Sequence, residues 1–185
     1  MRRFAPLALA IPLAVAGVLA APAQADSNFW EHGAWRVRMT DTGACELRTG
    51  GDGNGALLFS IGENGYDGVL SYIPVWFRHD PLPLDVYDEI ALIFDGTPTW
   101  LSDEMAILQG IDAFGEPTVE ASMTNGFAAE TVAALRDGDV VEIGVTHEGA
   151  FRIFDTYSLS GFTAVWLKAA EWCRFDPDAL PASLS

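Results

Sequence analysis

The sequence predicts a mainly β fold: an antiparallel β-sandwich or barrel-like domain with two late α-helices. Three observations carry that expectation. Short runs rich in Val, Ile, Phe and Trp recur between residues 34 and 123, several alternating apolar with polar. Clusters of Gly, Pro, Asn and Asp separate them at short intervals, as in all-β domains. Apolar spacing by three and four emerges only after Phe127.

Residues 1–25 read as a secretory leader. Arg2 and Arg3 give a positive start, Leu7 to Ala20 an uncharged apolar run, and Ala23-Gln24-Ala25 a small-residue cleavage signal before Asp26. The run is too short and wrongly flanked for a membrane anchor. The expected product is a single exported β-rich domain over residues 26–185, periplasmic or secreted, released after Ala25 by the Sec-type route. The Arg2-Arg3 pair leaves a twin-arginine route open.

The elements follow in order. Ala34 to Thr40 alternates Trp35, Val37 and Met39 against Arg36 and Arg38, the pattern of a half-buried strand. Residues 50–55 form a glycine-rich loop, and Ala56 to Ile61 a short apolar strand. Asn64-Gly65 and Asp67-Gly68 are turn pairs that tolerate positive φ. Val69 to Arg78 reads as a strand in which Pro74 marks an edge or a bulge. Asp88-Glu89 leads into the buried strand Ile90 to Phe94; Thr97 to Leu101, Met105 to Gln109 and Thr118 to Met123 follow. Phe127 to Arg136 has a helical stripe, and Asp137-Gly138 stops it with a glycine suited to a left-handed cap. Val140 to Thr146 and Phe151 to Tyr157 make a hairpin across His147-Glu148-Gly149. A last helix starts near Ser160 as N-cap and buries Phe162, Val165, Trp166, Ala169 and Cys173.

Composition excludes several partners. Without its leader the chain holds 8 basic against 26 acidic residues, a formal charge of −18. Such a surface repels nucleic-acid phosphates and anionic lipid headgroups and favours cationic partners. No second apolar run follows the leader, so no membrane insertion is expected after its removal. Cys45 and Cys173 are the only cysteines. In an oxidising compartment the expected state is a disulfide; separate buried thiols or a functional thiol are the alternatives. A bridge closing so long a loop stabilises by about 4 to 5 kcal/mol in the chain-entropy account.

The C-terminal region, with Leu135-Arg136-Asp137-Gly138 before a hairpin and Ser158-Leu159-Ser160-Gly161-Phe162-Thr163-Ala164 after it, resembles the invasion-associated locus B family of exported proteins. Trp35 to Val37 resembles its early Trp-x-Val strand, and Cys45 to Leu47 resembles its Cys-x-Leu segment. The resemblance covers under a third of the mature chain. It implies a periplasmic β-sandwich with packed helices and no established catalytic residues.

Chemistry-bearing motifs are sparse. His32, His79 and His147 stand apart in the sequence, each beside a carboxylate, and no zinc-ligand spacing occurs. No G-x-S-x-G elbow or S-x-x-K is present, although a Ser-His-Asp set can assemble from distant positions. Asp52 and Asn54 are spaced as in calcium loops, but Leu57 and Leu58 replace the ligands an EF-hand needs. No catalytic, cofactor-binding or metal residue is therefore assigned. Of the six tryptophans, Trp35, Trp166 and Trp172 fit a core. Trp76 and Trp100, beside proline-containing segments, are the candidates for a ligand surface, with core filling the plainer alternative. The expected function is a non-catalytic periplasmic binding or cell-envelope accessory protein, its partner an envelope protein or polymer; the alternative is a periplasmic hydrolase acting on an envelope polymer. A cleft holding a histidine within reach of carboxylates favours the enzyme, and a shallow Trp-lined surface favours binding.

Overall fold

The computed structural model describes residues 28–51, 53–77, 80–100, 104–123 and 127–180. The expected leader, Asp52 and His79 lie outside the described residues, as does the side chain of Trp100. Two antiparallel sheets share one core. The larger runs β1 (Phe29–His32), β2 (Trp35–Met39), β3 (Cys45–Gly50), β4 (Ala56–Ile61), β5 (Val69–Ile73), β9 (Pro117–Met123) and β8 (Met105–Ile111). The smaller runs β11 (Ala150–Ser158), β10 (Val140–His147), β6 (Glu89–Phe94) and β7 (Thr97–Trp100). Each sheet keeps two edge strands, so the packed sheets form a sandwich and not a closed barrel.

Alternation explains the strands. In β2 and β3 the buried Trp35, Val37, Cys45, Leu47 and Thr49 alternate with residues on the outer face. Helix α2 (Phe162–Cys173) lies over β1 to β3 and buries all five residues of the expected stripe. Trp166 meets Phe59 edge-on at 5.7 Å, and Trp35 meets Phe162 edge-on at 4.9 Å. Both buried indoles find acceptors: Trp35 Nε1 donates to Ser158 O and Trp166 Nε1 to Pro177 O. A disulfide joins Cys45, the first residue of β3, to Cys173, the last of α2, and clips the helix to the sheet. Trp172 is half-buried, as expected.

Four expectations need correction. Strands β1 and β3 go beyond the expected elements: β1 is mostly exposed and shows no alternation, and both are held by antiparallel pairing with β2. The strand expected to reach Arg78 ends at Ile73, since Pro74 offers no N–H to continue the ladder. Helix α1 (Ala128–Asp137) is followed by Gly138 in extended conformation, not left-handed. The chain passes straight into β10 there, and the Asp95 carboxylate accepts from the backbone N–H groups of Asp139 and Val140. Ser160 does not cap α2 either. Gly161, left-handed at φ 101°, occupies that position, while the Ser160 carbonyl accepts from Ala34 N–H.

Candidate functional site

The end of the smaller sheet builds the site from backbone register. Strands β6 and β10 pair antiparallel with Glu89 opposite Thr146. One step beyond that rung, Asp88 and His147 face each other. His147 Nδ1 lies 2.6 Å from Asp88 Oδ1. The other Asp88 oxygen accepts from Asp85 N–H at 2.8 Å, so the carboxylate is tied on both sides. Its side chain is 4% exposed, whereas the imidazole is 52% exposed. The bond to Asp88, then its charge, raise the His147 pKa above the usual histidine value. The β10–β11 hairpin turns at Glu148 and Gly149, both at positive φ, which brings Ala150 opposite His147.

A half-open cleft of about 500 Å³ opens beside this pair. Residues alternate along β11, so Ala150, Arg152 and Phe154 share the face that carries Val145 and His147 on β10. Residues 81–85 close the far side, anchored where Gln109 Nε2 of β8 donates to Leu84 O at 3.1 Å. The wall is therefore apolar (Leu82, Leu84, Val145, Phe154), and Gln109, Arg152 and the Asp88–His147 pair supply the polar groups. A second depression continues over Glu89 and Glu148, sharing Asp85, Asp88 and His147. There the turn held by Asp85 Oδ1 and Tyr87 N–H presents Val86 and an almost wholly exposed Tyr87. No protein-family model and no curated protein matches this chain.

Trp76 lies just past β5, half-buried, and its Nε1 donates to Asp80 O at 2.9 Å. It lines a smaller depression, of about 230 Å³, with Ile73 and Val119 that shares Leu82 with the cleft. Trp100 ends β7 in the other sheet, its backbone opposite Leu92, so the strand order does not join the two tryptophans in one element pair. His32 stacks on Trp30 at 5.7 Å in β1. Among the described residues no group of three or more His, Cys, Asp or Glu is placed to hold a metal ion. The expected loop at residues 50–55 closes on itself, Gly51 N–H donating to Gly55 O and Asn54 N–H to Gly51 O.

Sequence reasoning names His147 beside Glu148 in the chain but gives it no partner across the fold. The true partner is 59 positions away. Asp85, Gln109 and Arg152 were not singled out. The available signal was the hairpin at His147-Glu148-Gly149, whose register fixes which β11 residues share the face of His147.

Proposed function

We propose that the protein is an exported, non-catalytic binding protein of the cell envelope, whose cleft takes a cationic, partly apolar segment of an envelope partner. The observation that carries this reading is an apolar cleft wall that runs into an acidic rim in the adjoining depression, with which the cleft shares Asp85, Asp88 and His147. Leu82, Leu84 and Phe154 supply burial, and Asp85, Glu89 and Glu148 supply negative charge around it. Both oxygens of Asp88 are already committed within the protein, which suits a scaffold that holds the rim in shape. The adjoining Trp76 depression extends the apolar surface past Leu82. Export is supported by the leader-like residues 1–25, the disulfide and the C-terminal resemblance.

The test is fluorescence anisotropy with two labelled peptides, one alternating Lys with Phe or Leu, the other carrying Glu in place of Lys. The lysine peptide binds and the glutamate peptide does not. Neutralising one rim carboxylate in Glu148→Gln or Glu89→Gln weakens binding about two- to fivefold, the scale of an exposed ion pair. Equal binding of both peptides, or none, would overturn the reading.

The cleft holds His147 within hydrogen-bond reach of a carboxylate, the feature that favours the hydrolase reading; that reading stands second because no Ser or Cys is among the described residues lining the cleft. His147 oriented by a buried carboxylate is the base half of many hydrolytic sites. Hydrolysis of purified peptidoglycan by the wild-type protein, lost in His147→Ala, would put the enzyme first.

A further inference from the structure

The outer face of β2 and β3 carries Arg36, Arg38 and Arg48, three of the eight basic residues of a strongly acidic mature chain. The register sets Arg38 opposite Glu46, with which it forms an ion pair. The same register sets Arg36 directly opposite Arg48. Like charges facing each other across a strand pair destabilise it unless something lies between them.

Both guanidinium groups reach toward Gly51. Arg36 Nη2 is 3.5 Å and Arg48 Nη2 3.6 Å from the point a Cβ on Gly51 would occupy, so they lie within about 7 Å of each other. Gly51 has φ 94°, and Gly50 and Gly53 are also at positive φ; a side chain at Gly51 would be strained and would fill the space between the arginines. Arg36 Nη2 donates to Gly50 O at 3.4 Å, a neutral acceptor at the limit of a hydrogen bond. Among the described residues the buried Nε of Arg48 has no hydrogen-bond partner. The described ion pairs engage Arg38, Arg136, His147, Lys168 and Arg174, and neither Arg36 nor Arg48.

We propose that Arg36 and Arg48, converging over Gly51, form a binding site for a small oxyanion, a carboxylate or a phosphate. An oxyanion seated there accepts from both forks at charge-assisted distances of about 2.8 Å, which the separation of the two nitrogens allows. It converts an unfavourable pair into a bridged one. Repulsion by the acidic remainder of the surface is screened over about 8 Å at physiological salt, so the local pair governs binding. The site lies on β2 and β3 of the larger sheet, shares no residue with the cleft, and stands or falls separately.

The test titrates the mature protein with inorganic phosphate and, in a second arm, succinate, against chloride at matched ionic strength. The melting temperature and the Arg48 Nε–Hε resonance are followed together. Saturable shifts in both are expected, and the phosphate and succinate arms tell which oxyanion is preferred. Arg36→Gln and Arg48→Gln each lower the affinity at least tenfold. The resonance is read in the wild-type protein, so the proposal remains testable if a variant fails to fold. No response beyond that to chloride overturns it, as does unchanged affinity in the variants. Asp52 is the neighbouring carboxylate in the chain. Binding that occurs only in Asp52→Asn would make the loop's own carboxylate the occupant and would also overturn the proposal.

Discussion

The backbones of Gly33 and Gly161 meet face to face. A Cβ on Gly161 would stand 2.0 Å from His32 O, and one on Gly33 would stand 2.4 Å from Ser160 O. Both glycines have positive φ, and Ala34 N–H donates to Ser160 O at 2.9 Å across the contact. The β1–β2 turn is thereby docked on the start of α2.

Gly161→Ala removes this approach. Left-handed strain and a backbone clash together cost about 3 kcal/mol or more. A urea melt is expected to show a lower midpoint. An unchanged midpoint would mean that the turn can move away from the helix freely.

The Asp88–His147 pair sets a pH dependence. Because the folded pKa of His147 is raised, the pair contributes stability that is present below the unfolded histidine value of about 6.5 and lost as pH rises through the folded value. NMR titration is expected to place His147 above the usual histidine value, and Asp88→Asn to lower it. As the imidazole loses its charge, the pair becomes net negative. Binding of the lysine peptide should then tighten as pH rises through the His147 pKa.

Tyr72 and Tyr157 predict the alkaline limit. Tyr72 is buried and donates to Asp155 Oδ2 at 2.5 Å, and Tyr157 is buried near the same carboxylate. Burial, and after it the bond to and charge of Asp155, push the Tyr72 phenol far above its ordinary range. Burial and the charge of Asp155 do the same for Tyr157. Above about pH 10 an unfolded chain loses these protons while the folded one keeps them, so stability falls as pH rises. Absorbance titration is expected to show two tyrosines that ionise only as the fold is lost. Smooth ionisation of all four in folded protein would contradict this.

The disulfide predicts a large stability difference. Cys45 and Cys173 are separated by 128 positions. Replacing both with Ser is expected to cost about 4 to 5 kcal/mol, read from chemical denaturation. Thiol labelling of the denatured wild-type protein should find none free.

What the sequence determined is mostly local. Alternation located β2, turn pairs located Asn64 and Asp67 at positive φ, and the three-four stripe named five of the six buried residues of α2, all but Ala170. These follow from side-chain periods and backbone sterics that act within a few residues. Where a neighbour across the fold competes, the local rule fails. Ser160 is a good cap by itself, but Gly33 requires a glycine at the next position. Gly138 suits a left-handed cap, but β10 continues from it in extended form.

The candidate site belongs to the second class. That His147 meets Asp88 rather than Glu148 depends on which strands pair and in which register, and a shift of one residue would turn every side chain to the opposite face. The same holds for Arg36 opposite Arg48. The sequence set the mainly β fold class and the charge any partner meets, and the structure brings Cys45 and Cys173 within bonding reach. Only the tertiary structure chose the sandwich over the barrel and decided which distant groups share a cleft, because those contacts arise from pairing between strands far apart in the chain.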